Sequence, residues 1–274
     1  MGDASSLADF HRPAAAPPKD ASTARSSNMK IDAVRISVAN GSVARHFWET
    51  ALGLHFVDEC EISNAETREV WGIRHGSLRL TRLEIEPGVF PKIELLEWEG
   101  CGGKPIRDAR HPWDYGLLAV RIPVSDLDAR LGHAAQWRLK VERNGTEACV
   151  TTPSGERVVL RQGGEPSVIA VVPSIDKAKV FFRESLMLPN GIPAQVEKRY
   201  SGAASVDLVE SLRLGTLDVM EFHRSADPRP AAPTESRMHV GYTGYCMLSV
   251  SAAGAKTELL YAPGGIPVEV TSRD

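Results

Sequence analysis

The 274-residue chain is 42% hydrophobic and 24% charged, an ordinary globular balance with room for two domains, each with its own core. A net charge of -3 argues against nucleic acid or an anionic membrane as main partner, and no apolar run approaches the ~20 residues that span a bilayer. Cys60, Cys101, Cys149 and Cys246 are scattered without CxxC spacing, which argues against a zinc knuckle or a disulfide scaffold and fits reduced thiols in a cytoplasmic protein.

Residues 1–29 are rich in Ala, Ser, Pro and Asp, without a periodic apolar face or a secretory apolar stretch, and are expected to form a disordered tail. Ile31 to Glu59 then reads as strand, helix, strand. Val34, Ile36 and Val38 alternate with Ala33, Arg35 and Ser37. Asn40, Gly41 and Ser42 supply a turn and a helix N-cap, and Val43, Phe47, Ala51 and Leu52 form one apolar stripe. Gly53 follows as a C-cap, and Phe56 and Val57 begin the next strand. Glu69–His75, Ser77–Glu86 and Lys92–Trp98 read as three further strands, broken by Gly76 and by Pro87 and Gly88.

The same phrase returns at Gly116–Gln136, at Ser167–Leu188 and, more weakly, from Tyr242. Repetition at intervals of roughly fifty to eighty residues fixes an architecture before any single element does. Cys101–Trp113 reads as a connector, and Ala148–Thr152, a turn at Pro153, Ser154 and Gly155, and Arg157–Gln162 as a hairpin. Turn residues cluster at Gly163–Pro166, which places the expected boundary between a first domain, 30–163, and a second, 164–274. The third unit ends on Thr216–His223, Ala226–Thr234 is a Pro-rich linker, and the short fourth unit has a poorly signalled helix in Ala252–Glu258 and a final strand at Pro267–Thr271.

Openings such as IDAVRISV and SVIAVVPSIDKA, and endings such as KIELLEW, PSGERVVLRQ and LDVMEF, resemble the vicinal oxygen chelate superfamily from Lys30 to Val270. That group includes glyoxalases, bleomycin-resistance proteins, fosfomycin-resistance enzymes and extradiol dioxygenases. The resemblance implies an α+β fold in which four βαβββ modules form two tandem glyoxalase-like domains. It also implies that each pair of modules curls into a cup around one divalent metal, with His from first strands and Glu from last strands. Here the first-strand positions carry Ala33, Leu117, Val168 and Met247 (or Cys246), and the last-strand positions Glu94, Val159, Asp218 and Glu269. Fe(II) in a two-His-one-carboxylate site needs imidazoles, and carboxylates alone favour a hard ion, weakly. No metal ligand and no cofactor is therefore assigned, a weakly bound divalent ion aside. His46 and His133 fall on predicted helices and His75 in a turn, His223 alternates away from Asp218, and His239 lies in a linker.

Alternation names the residues lining each cup. For the first pair of modules these are Ala33, Arg35, Ser37, Glu94, Leu96, Trp98, Leu117, Ala119, Arg121, Val159 and Arg161. For the second pair they are Val168, Ala170, Val172, Asp218, Met220, Phe222, Met247, Ser249 and Glu269. Should the first module pair with the fourth, Glu94 and Glu269 share a cup instead. Arg35, Trp98, Arg121, Met220, Phe222 and Met247 are candidate substrate contacts on walls suited to a small aromatic or anionic compound. Asp218, Glu269 and Glu94 are candidate catalytic acids and bases, as in a metal-free or weakly metal-dependent lyase or isomerase. The alternatives are a non-catalytic, bleomycin-resistance-like binding protein and an extradiol dioxygenase relative with an atypical metal site. Partners reduce to a small-molecule ligand, with no nucleic acid and no membrane. Four modules close both cups within one chain, so a monomer or a homodimer satisfies the reading.

Overall fold

A computed structural model describes residues 30–63, 65–71, 76–89, 91–99, 115–186, 192–193, 207–223, 243–253 and 257–273. The expected tail, the connector at 101–113 and the linker at 226–234 lie outside the described residues.

In the first module β1 (Lys30–Val38) leads into α1 (Gly41–Thr50), where the Asn40 side chain accepts the Val43 N–H at 2.9 Å. After the helix, Gly53 turns the chain at a φ of +77°, a conformation that costs glycine little, and its N–H reaches the Glu49 carbonyl at 3.1 Å. Phe47, Ala51 and Leu52 are buried as expected, together with Ala44 and Trp48, but Val43 stands in the first turn facing solvent. β2 (His55–Glu61), α2 (Ala65–Val70), β3 (Leu78–Glu84) and β4 (Lys92–Trp98) complete the module. Of the strand expected at Glu69–His75, the described part is not strand: Ala65, Glu66 and Arg68 are helix formers, their run is α2 through Val70, Trp71 follows it in a turn, and residues 72–75 lie outside the described residues.

The second module is β5 (Gly116–Val124), α3 (Leu127–Ala135), β6 (Val141–Asn144), β7 (Glu147–Thr151) and β8 (Arg157–Gln162). In the third, β9 (Ser167–Val171) precedes α4 (Ile175–Val180), which runs into a π-helical turn at Phe181–Ser185. β10 (Ile192–Pro193), β11 (Asp207–Leu214) and β12 (Leu217–His223) follow. The fourth comprises β13 (Gly244–Ala253), β14 (Glu258–Ala262) and β15 (Ile266–Arg273). Its expected helix is absent among the described residues, since β13 itself continues to Ala253.

Within each module the first strand pairs in parallel with the last: β1 with β4, β5 with β8, β9 with β12 and β13 with β15. The other edge of each first strand is then open to a partner module. β1 takes β13, antiparallel, to make a seven-stranded sheet ordered β14-β15-β13-β1-β4-β3-β2. β5 takes β9 to make an eight-stranded sheet ordered β10-β11-β12-β9-β5-β8-β7-β6. The first module thus pairs with the fourth and the second with the third, so a boundary at Gly163 separates modules but not sheets. Val34 and Ile36 of one sheet, Phe47 of α1, and Val120, Ile122 and Val168 of the other sheet belong to one continuous core, and Phe47 meets Trp137 of the second module edge to face at 5.1 Å. The concave faces are left to carry the chemistry.

Candidate functional site

β1 places Arg35 opposite Glu94 of β4 on one side and Met247 of β13 on the other, and Arg82 of β3 stands opposite Glu94. One row across the first sheet therefore alternates in charge. Arg35 Nε donates to Glu94 Oε2 at 2.7 Å, and its Nη1 donates to Glu269 Oε2 of β15. Arg82 Nε donates to the other Glu94 oxygen at 3.2 Å, and its Nη1 reaches both carboxylate oxygens of Asp58 at 3.0 Å. The Trp71 indole N–H donates to Glu269 Oε1 at 2.6 Å, and the same ring lies 4.7 Å from the Arg35 guanidinium carbon. Met247 Sδ sits 3.6 Å from Arg35 Nη1, and Trp98 packs against the same apolar floor as Trp71.

These charges are buried: Arg35 is 8% exposed, Glu94 7% and Glu269 1%. Burial disfavours the Arg35 cation, but Glu94 and Glu269 outweigh that cost and hold its proton more tightly than usual. Burial likewise pushes Glu94 toward its neutral form, and Arg35 and then Arg82 outweigh this, leaving its carboxyl below the usual carboxylate range. A paired cluster of this kind adds little net stability, yet removing one member strands the others.

The second cup repeats the device. Ala33, Val34, Arg35 and Ile36 recur as Ala119, Val120, Arg121 and Ile122, and Arg121 stands opposite Ser167 of β9 as Arg35 stands opposite Met247. Arg121 Nη1 donates to Asp218 Oδ2 at 2.5 Å and to Ser167 Oγ at 3.0 Å, while the Ser167 hydroxyl donates to Asp218 at 2.7 Å. Glu147 lies 3.6 Å from Arg121 Nε, and Arg213 lies 3.9 Å from Asp218 Oδ1. The residue opposite Arg121 on β8 is Val159, so the counterpart of Glu94 carries no charge. Around this polar group the floor is apolar, with Leu118, Ile169, Val171, Met220 and Phe222.

Every candidate residue thus lies in a cup, but not always in the expected one. Arg35, Glu94, Trp98, Met247 and Glu269 share the first, and Arg121, Asp218, Met220 and Phe222 the second. Asp218 and Glu269 are not a pair, because their strands lie in different sheets. On β9 the expected parity is reversed: Ser167, Ile169 and Val171 face the cup, while Val168, Ala170 and Val172 are in the core. An irregularity between Leu117 and Ala119 sends Leu117 to the core and brings Leu118 to the floor. Arg161 is exposed at the end of β8, 3.5 Å from Glu147. Trp71, Arg82 and Ser167 belong to the sites without having been singled out in the sequence. His46 lies on α1 and His133 on α3, and His75 and His239 fall outside the described residues.

One further buried acid stands apart, at the hairpin between β7 and β8. The Thr152 hydroxyl donates to Glu156 Oε2, and Oε1 has no partner among the described residues. Burial pushes its carboxyl up to about 7 against the opposing pull of the Thr152 hydrogen bond.

The donor sets do not fit the divalent metal that the resemblance implies. Both oxygens of Glu94 and both of Glu269 accept hydrogen bonds, and a guanidinium lies between the two acids. A divalent ion would need those oxygens free and would repel Arg35. Among the described residues no three of His, Cys, Asp and Glu gather as a metal-binding group.

No protein-family model and no curated protein matches the sequence. Solved structures do match the fold. Glyoxalase I from Zea mays superposes with a TM-score of 0.58 at 11% identity, over 89% of this chain and 92% of that one. A putative dioxygenase from Bacillus subtilis superposes with a TM-score of 0.55 at 12% identity, over 90% of this chain and 86% of that one. Among the described residues no helix is long and apolar enough to cross a membrane. With four modules in two mixed sheets and this likeness across nearly its whole length, the chain has a tandem glyoxalase-like fold.

Proposed function

We propose that the protein binds a small, apolar or aromatic organic compound on the floor of its second cup, without a resident divalent metal and without turning it over. The observation that carries this reading is the pair of equivalent arginines, Arg35 and Arg121, each bonded to the carboxylates that the family resemblance would make metal ligands. Glu94, which accepts from two guanidiniums and is held below the usual carboxylate range, is a poor base at neutral pH. This favours binding over the lyase or isomerase reading, and the neutralised arginines favour an apolar ligand over an anionic one. Extradiol chemistry needs imidazoles, which none of the first-strand positions supplies. One feature favours the lyase or isomerase reading: Ser167 links Arg121 to Asp218 beside an apolar floor, a place where a bound ligand can meet a carboxylate.

The test is metal content after purification without chelator, then titration with Mn²⁺, Fe²⁺, Zn²⁺ and Mg²⁺ and a thermal-shift panel of aromatic compounds. The expected result is no stoichiometric metal and a ligand whose stabilisation is weakened at least about tenfold in affinity by Phe222→Ala or Met220→Ala. Stoichiometric metal that Glu269→Gln abolishes overturns the metal-free reading. Turnover that Asp218→Asn abolishes replaces the binding reading with the catalytic one.

A further inference from the structure

We infer that the first cup is a binding site for a planar aromatic ring bearing one N–H donor, and that Trp71 of the same chain is its occupant. The inference stands whether or not the second cup takes a ligand.

Three observations make Trp71 resemble a bound ligand more than a wall of the cup. The first is its origin. The cup strands are β1, β3, β4, β13 and β15, whereas Trp71 arrives from α2, on an excursion between β2 and β3. The second module joins its corresponding strands, β6 and β7, by the tight turn at Gly145 and Thr146. The excursion is therefore an addition to the module, and it is fastened to its own neck: Arg68 Nη2 donates to the Gly76 carbonyl at 2.7 Å and Nη1 to the Ile62 carbonyl at 3.4 Å. Trp71 follows Arg68 within the stretch so fastened.

The second observation is completeness of contact. The indole is 1% exposed and packs on Leu78, Leu80, Leu96 and Met247. The third is that its polar atom and its π-face are each answered. The N–H meets Glu269 Oε1 at 2.6 Å, and the ring lies beside the Arg35 guanidinium at 4.7 Å. An apolar slot with one convergent acceptor and one cation over a ring face is the usual make-up of a small-molecule site. Its chemistry selects indole-class heterocycles over carbocycles, because a ring without the N–H leaves a buried Glu269 oxygen unpaired.

The experiment uses the full-length Trp71→Gly variant, with free indole as probe and indene as its isostere lacking the N–H. The expected result is that indole raises the variant's melting temperature saturably and beyond any shift of the wild type at the same concentration, with one more equivalent taken up per chain than by the wild type, and that this additional site binds indole at least about tenfold more tightly than indene. Adding Glu269→Gln should narrow that preference. If the variant is unfolded by circular dichroism, indole should restore the folded signal and indene should not. A variant that folds but shows no indole-dependent shift overturns the inference. So does an unfolded variant that indole fails to restore, or an equal response to indole and indene.

Discussion

The two cups are built from the same module and carry the same arginine at the same position, yet they have diverged. In the first, Arg35 faces two glutamates, a second arginine follows, and the chain's own Trp71 fills the remaining space. In the second, Arg121 bonds closely to Asp218 and Ser167, Glu147 stands farther off at 3.6 Å and is shared with Arg161, and the floor is aliphatic and aromatic. The contrast lies in what surrounds the arginine. With two closely bonded acids and an indole, the first cup is filled from within the chain. With an aspartate held by Ser167 and an apolar floor, the second is the cup we propose for a guest.

Replacing each arginine by methionine breaks this comparison most severely. Arg35→Met leaves buried Glu269 with only the Trp71 N–H and Glu94 with only Arg82, and is expected to cost about 3–5 kcal/mol by urea unfolding at neutral pH. Arg121→Met leaves Asp218 its Ser167 hydrogen bond and Glu147 its pairing with Arg161, and about 1–3 kcal/mol is expected. Equal losses would mean that the cups do not differ in the way described.

The next effect separates the hairpins of the two sheets. Glu84, at the end of β3, is paired with Lys92 at 2.7 Å and accepts the Gly88 N–H, whereas among the described residues Glu156 accepts only from Thr152 and its own backbone N–H. Between pH 4.5 and about 7 the folded state holds a proton on Glu156 that the unfolded chain has released. Its contribution is therefore complete below that window and is lost as pH rises through it, up to about 3 kcal/mol. Glu156→Gln should flatten the stability profile there, and an unchanged profile would mean that Glu156 is ionised throughout.

Glu94 titrates in the opposite sense. Its folded carboxyl is held low, so its contribution is present above the unfolded value of 4.5 and is lost as pH falls below it. Acid should therefore loosen the first cup, seen as faster amide exchange in β1 and β4 as pH falls below that value. The smallest effects lie at the helix caps. Asn40→Ala and Asp126→Ala each remove one side-chain acceptor and should cost about 1 kcal/mol, additively, in thermal melts.

The modules were legible because hydrophobic alternation, caps and turn residues recur in one order, and the recurrence outweighs any single ambiguous stretch. Trp98, Met220 and Phe222 were placed on concave faces by period-two alternation alone. Other positions left no such mark. Ser167 to Val171 reads SVIAV, apolar on both faces, so its parity carried no signal. At Leu117 a one-residue irregularity reversed a correct pattern. Module pairing is decided by which open strand edge finds which, a contact between residues more than two hundred positions apart for Arg35 and Glu269, and chain order favours neither choice. Trp71 was hidden for a related reason: its partners lie on strands distant in the chain.

The order of strands in the seven-stranded sheet also bears on how the molecule is made. The eight-stranded sheet is drawn from one continuous stretch, β5 to β12, and can assemble as soon as that stretch leaves the ribosome. β1 is finished far earlier but must wait for β13, and at ~5–20 residues per second the delay is roughly 10–40 s. For that interval one edge of β1 is unpaired, and unpaired strand edges invite association with other chains. Nascent chains stalled before Gly244 should accordingly bind holdase chaperones through the first module, while the two middle modules are already resistant to protease.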